Sequence, residues 1–154
     1  MHSMETKDLI DTTLKYTKNL DKKKILIVDD NEDQLLALKF LFTTYNKDKE
    51  YITFNSPEKA IKYLIRLKDE KYQEIMNEVD DIDIIISDYN MLPKNGLDFF
   101  KDLQKIDSSI PFILISSFLS DSIKNAAYEL GVLDCIEKQV NIREMLNKIA
   151  FYIT

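Results

Sequence analysis

Cysteine, histidine, glycine and proline are all scarce in this chain, and tryptophan is missing altogether. The lone Cys135 has no partner for an internal disulfide, and with His2 as the one histidine there is no cluster of the kind that binds zinc or activates a cysteine nucleophile. No apolar run approaches the ~20 residues of a membrane-spanning helix, and the N-terminus lacks the apolar segment of a secretory signal. Basic residues are outnumbered: the formal net charge of −6 speaks against a nucleic-acid or anionic-membrane surface. Internal repeats and low-complexity stretches are absent as well. These exclusions point to a cytoplasmic protein of ordinary composition, 45% hydrophobic and 31% charged, whose 154 residues suffice for one domain with one core.

What is present is organised around Ile82 to Gly96. The run Ile84-Ile85-Ile86 predicts a strand buried on both faces, which belongs in a parallel sheet covered by helices. It delivers Asp88 at its carboxyl end, where ligands bind in open α/β sheets. The same pattern recurs along the chain. Lys24 to Val28 predicts a strand ending in Asp29-Asp30, followed by a helix to about Tyr45 capped by Asn31 or Asp30. Tyr51 to Phe54 is a short strand, and Ser56-Pro57 starts a helix with Ser as cap and Pro in its first turn. With neither Gly nor Pro before Pro93, the apolar spacing from Ile61 through Leu64, Ile65, Tyr72, Ile75, Met76 and Val79 predicts one long helix or two nearly collinear ones. Leu97 to Leu103 marks a further helix, Pro111 to Ile115 a fourth strand ending in Ser116, and Ser120 to Leu130 a helix stopped by Gly131. Leu133 to Glu137 is a fifth strand ending in Lys138, and Ile142 to Ile149 patterns the last helix. The loosely helical spacing of Leu9, Ile10, Leu14 and Tyr16 predicts a weakly amphipathic helical extension over residues 4–22. Asp80, Asp81 and Asp83 precede a strand and read as a solvated face on the opposite sheet edge.

Five alternations of strand and helix predict an α/β fold with right-handed crossovers, a doubly wound parallel sheet with helices on both faces. In such a fold Asp29, Asp30, Asp88, Ser116 and Lys138 converge on one edge. Three carboxylates packed together repel unless something neutralises them. A cation does so, and oxygen ligands from Asp side chains and a loop carbonyl suit Mg²⁺, with Mn²⁺ as the alternative. Ser116 adds a hydroxyl and Lys138 an ammonium, the groups that hold phosphoryl oxygens during in-line displacement. The nucleophile of that chemistry would be an Asp, forming an acyl phosphate.

The five positions, in this order and each after its own strand, resemble the receiver domain of two-component response regulators over residues 23–154, with residues 1–22 as an N-terminal extension. The resemblance implies strand order 2-1-3-4-5. It implies Asp88 as phosphoacceptor and Asp30 as a direct Mg²⁺ ligand, with Asp29 acting through a bound water and the Asn90 backbone carbonyl completing the protein ligands. Ser116 would hydrogen-bond the phosphoryl group and Lys138 would pair with it. The implied partners are a sensor histidine kinase or His-phosphotransfer protein, a downstream protein target, and a second copy of the chain through the helix after strand 4, strand 5 and the final helix, with neither nucleic acid nor membrane bound directly.

The sequence departs from the family pattern in four places. Gln139 stands where Pro usually follows the active-site Lys in a cis peptide, and a cis bond before Gln costs ~2.5–4 kcal/mol against ~0.5–1 for Pro. Cys135 replaces the switch aromatic three positions before that Lys, a role that the neighbouring Phe118 can partly take over. Leu92 replaces a Pro, which stands instead at 93, and the segment from Leu67 to Asp81 is longer than usual. Four residues follow Ala150, so the chain is expected to be a stand-alone receiver or one cut from a longer protein. Two other functions are weighed against it: a Mg²⁺-dependent phosphohydrolase with an aspartyl nucleophile, whose acid/base position two residues on is Asn90 here, and a degenerate receiver that acts without phosphorylation.

Overall fold

Short β-branched runs pair into one sheet because none of them carries a Pro or a charge in its middle. In the computed structural model, which describes residues 6–10, 22–76, 81–138 and 141–153, they form β1 (Lys24–Val28), β2 (Glu50–Phe54), β3 (Ile84–Asp88), β4 (Phe112–Ser116) and β5 (Asp134–Glu137). All neighbours run parallel, in the order β2-β1-β3-β4-β5 expected above. β3 and β4 are buried along their whole length, which is why their sequences are apolar runs and not an alternation.

Successive side chains of each strand point to opposite faces and build two cores. On one face Leu26, Val28, Ile85, Phe112 and Leu114 pack with Leu64, Phe99, Phe100, Leu103 and Ala127. On the other, Ile25, Ile27, Ile84, Ile86, Ile113 and Ile115 pack with Leu35, Leu38, Phe42, Met145 and Ile149. The first set of helical partners comes from α2 (Pro57–Leu67), α4 (Gly96–Gln104) and α5 (Asp121–Leu130), the second from α1 (Glu32–Tyr45) and α6 (Ile142–Ile153). Helices therefore cover both sides of the sheet. A short α3 (Glu70–Met76) follows α2.

The helix ends follow their side chains. Asn31 caps α1, Ser56 caps α2 ahead of Pro57, and Ser120 caps α5, each through a side-chain oxygen that accepts a backbone N–H in the first turn. Gly131 ends α5 at φ 107°, in the left-handed region that favours glycine. The long apolar pattern after Ser56 resolves into two helices. The break falls at Lys68-Asp69, where the Asp69 carboxylate accepts the Lys71 N–H at 3.0 Å and starts α3 anew. Ile65 in that pattern is exposed, whereas Leu64 is buried. The side chains of Ile75 and Met76, and Val79, lie outside the described residues. Of the N-terminal extension, residues 6–10 are helical, and the rest of 1–21 is likewise outside. Among the described residues no helix is long and apolar enough to cross a membrane.

Candidate functional site

The parallel sheet brings the carboxyl ends of β1, β3, β4 and β5 to one edge, and the polar residues singled out in the sequence come with them. Asp88 and Ser116 are the last residues of β3 and β4, while Asp29 directly follows β1 and Lys138 directly follows β5. Asp29 and Ser116 are fully buried, Asp88 is 5% exposed, and Asp30 is open to solvent. Carboxylate oxygens of Asp29, Asp30 and Asp88 lie within 4.8 Å of one another. The Lys138 ammonium reaches into this group, 3.1 Å from Asp88 Oδ1 and 3.3 Å from Asp29 Oδ2.

Each acid is also held by the loops. Asp29 Oδ1 accepts the Asn31 N–H at 3.0 Å, and Asp30 Oδ2 accepts the Leu92 N–H at 3.2 Å. The second bond ties the turn after β1 to the loop after β3. That loop passes close to the sheet at Gly96, where a Cβ would lie 2.6 Å from both the Asp88 carbonyl oxygen and Leu114 Cδ1. Gly96 is thus required by close approach of backbone to backbone, and its N–H donates to the Tyr89 carbonyl at 2.8 Å.

Burial pushes the Asp88 carboxyl above the ordinary carboxylate range. The Lys138 ammonium and its hydrogen bond pull the other way, and the charges of Asp29 and Asp30 add to the upward push. The Asn90 side chain donates to Ser116 Oγ at 2.8 Å, and Ser116 Oγ donates in turn to the Phe118 carbonyl at 3.2 Å. Phe118 itself is 73% exposed, so its backbone and not its ring meets the site. Beside Cys135, which is half-buried, lies a groove of about 400 Å³ between β5, α5 and α6. Gln139 and its peptide bond to Lys138 lie outside the described residues. The one cis peptide found among the described residues joins Leu92 to Pro93.

Three contacts escaped the sequence reading: Gln34 Oε1 accepting from Lys138 Nζ at 3.0 Å, the Leu92 N–H on Asp30, and the Phe118 carbonyl on Ser116. The backbone contacts leave no trace in residue identity. Gln34 does have a local mark, since it stands three residues after the cap of α1, where Glu or Gln often completes a capping box.

Sheet order and crossovers place the molecule in the class of CheY-like doubly wound folds. The chain belongs to the response regulator receiver domain family, whose model matches residues 25–150. It is 28% identical over 131 residues to the chemotaxis protein CheY of Thermotoga maritima, covering 83% of this chain and 98% of that one. It is also 28% identical over 123 residues to the cyclic di-GMP phosphodiesterase response regulator RpfG of Xanthomonas campestris, covering 79% of this chain, and 30% identical over 128 residues to the regulatory protein VirG of Rhizobium radiobacter, covering 82%. The chain spans 29% and 42% of the lengths of those two relatives. Among solved structures, chemotaxis protein CheY4 of Vibrio cholerae superposes with a TM-score of 0.65 at 21% identity, over 85% of this chain and 98% of that one. The non-phosphorylated HemR receiver domain of Leptospira biflexa gives 0.66 at 20%, over 86% and 95%. At these identities the structural likeness speaks to fold alone.

Proposed function

We propose that the chain is a phosphorylation-controlled signalling module, with residues 23–154 as the receiver unit and 1–22 as an extension. Its phosphoacceptor is Asp88. The observation that carries this reading is the convergence of three acids with oxygens within 4.8 Å and one ammonium 3.1 Å from Asp88, at the carboxyl edge of the sheet. The donor set fits a hard divalent cation: every side-chain donor is a carboxylate oxygen, and one ammonium does not balance three carboxylates. Asp29, Asp30 and Asp88 would hold Mg²⁺ or Mn²⁺, with the Asn90 carbonyl as the remaining protein ligand. Bound there, the ion supplies positive charge against the phosphoryl oxygens.

In the transfer, an Asp88 carboxylate oxygen attacks the phosphorus of a phosphohistidine. The O–P bond of an acyl phosphate forms as the P–N bond breaks, and the electron pair leaves on the imidazole nitrogen, which is protonated from solvent. Lys138 meets the transferred oxygens as a charge-assisted donor, and Ser116 leaves the Phe118 carbonyl to do the same. Receiver domains interact with histidine kinases and downstream effectors. This chain would take its phosphoryl group from such a kinase or from a His-phosphotransfer protein in the cytoplasm, and would signal through altered protein binding or through dimerisation at α5, β5 and α6. A phosphohydrolase is less well supported, because the Asn90 amide offers no titratable proton and is already engaged with Ser116.

The test is intact mass after incubation with acetyl phosphate and Mg²⁺. Wild type gains one phosphoryl group and Asp88→Asn gains none. Labelling of Asp88→Asn would exclude Asp88, and steady turnover of p-nitrophenyl phosphate would favour the hydrolase instead.

A further inference from the structure

We infer that Gln34 is a positioning residue for Lys138, an inference that rests on the reading of Asp88 as phosphoacceptor. The spacing Asn31-x-x-Gln34 is that of a capping box, in which the side chain of the third helical residue turns back to the N–H of the cap. In α4 the box closes, with Asp98 accepting the Asn95 N–H at 3.1 Å. In α1 it does not close, because Asp29 Oδ1 already accepts the Asn31 N–H at 3.0 Å. The Gln34 side chain is thereby released from its local partner. Its backbone stays fixed, since the Gln34 N–H donates to Asn31 Oδ1 at 3.0 Å.

From that anchored position Gln34 Oε1 accepts from Lys138 Nζ at 3.0 Å. The bonds close a ring: Lys138 to Gln34, Gln34 to Asn31, Asn31 to Asp29, and Asp29 back to Lys138 at 3.3 Å. An ammonium has three donors. Here it donates to Asp29 Oδ2 in the acid cluster and to the neutral Gln34 amide on α1, and its charge also pairs with Asp88 Oδ1 at 3.1 Å. The two carboxylates alone would draw the ammonium into the cluster. Gln34 pulls it toward α1, so that it faces Asp88 from a fixed side when an anionic donor arrives. When Asp88 carries a phosphoryl group, Lys138 can pass its Asp88 bond to a phosphoryl oxygen while the Gln34 bond persists.

The test is a cycle of Gln34→Met, Lys138→Met and the double variant. It is read by the rate of acetyl phosphate labelling and by the ¹⁵N NMR signal of the Lys138 ammonium, with Gln34→Glu as the variant that keeps an acceptor at the same reach. Gln34→Met is expected to slow labelling about fivefold, the effect of one hydrogen bond of ordinary net strength, and to lose nothing further in the Lys138→Met background. It should also mobilise the Lys138 ammonium, which Gln34→Glu restores to order. Equal losses in both backgrounds, or an ammonium as ordered in Gln34→Met as in wild type, would overturn the inference. Should wild type take up no phosphoryl group, the reading of Asp88 fails, and the ordering of the ammonium alone then decides on Gln34.

Discussion

Asp88 concentrates the conflict of the site in one carboxyl: burial and two acidic neighbours resist its charge while Lys138 favours it, and burial wins. A carboxyl whose folded pKa lies above the unfolded value of 3.8 contributes stability that is complete below that value and is lost as pH rises through the folded one. Without Mg²⁺, Asp88→Asn should therefore melt higher than wild type at pH 7, and the gap should close as the pH is lowered toward 3.8. Calorimetry across that window checks it, and a variant that melts below wild type throughout would show that the Lys138 pair outweighs burial. Asp30 leads to a different expectation. It is exposed and pairs with the Leu92 N–H, so its removal should cost little fold stability but take away a proposed metal ligand. Mg²⁺ should raise the melting temperature of wild type and leave that of Asp30→Ala unchanged. An equal rise in both would remove Asp30 from the ligand set.

At the scale of elements, the loops after β3 and β4 are where residue geometry becomes local conformation. Gly96 lets α4 begin directly against the Asp88 carbonyl, and Gly96→Ala would place a methyl 2.6 Å from a backbone oxygen that cannot yield. The expected cost is about 1–3 kcal/mol, read by denaturant unfolding, together with slower labelling of Asp88. The loop after β4 hangs on Ser116, whose hydroxyl links the Asn90 amide to the Phe118 carbonyl. Under the proposed function, phosphorylation would draw this hydroxyl inward and break the Phe118 bond, biasing the loop at residues 117–119 and the start of α5. Beryllofluoride should thus change amide exchange over residues 116–130 in wild type, and Ser116→Ala should abolish the change while still accepting phosphate. An unaltered exchange pattern in activated wild type would rule the route out.

Across the whole molecule, such a change would reach the far face of β5 through the elements packed on it, α5 and α6. Cys135 is too small to report movement by packing, and the groove beside it is ringed by side chains that tie three elements together. Asp134 accepts from Tyr128 of α5 at 3.0 Å and from Tyr152 of α6 at 2.5 Å, which pushes the Tyr152 phenol up to about 12. The Asp134 carboxylate thus ties α5 and α6 to β5, while Cys135 joins α5 through its backbone N–H, which donates to the Tyr128 hydroxyl at 3.2 Å. Cys135→Ala should accordingly leave the proposed phosphorylation-dependent dimerisation nearly intact by light scattering, and its loss in that variant alone would assign the thiol a part in the switch. How much of this was legible in the chain divides by distance. The strands, the cap Ser56, the choice of Asn31 or Asp30 at the head of α1, the stop at Gly131 and the order of the polar positions are written in short windows of sequence, since burial period and first-turn hydrogen bonds depend on neighbours a few residues away. Parallel pairing then carries those positions to one edge, as the alternation of elements implied. The start of α3 at Asp69, the bond from Ser116 to the Phe118 backbone, the Tyr128–Asp134–Tyr152 tie and the release of Gln34 toward Lys138 were decided by the tertiary structure alone. In each, a polar group with several partners within reach took the one that the folded chain placed nearest, and Gln34 and Lys138, 104 residues apart in sequence, become neighbours only when β5 closes the edge of the sheet beside α1.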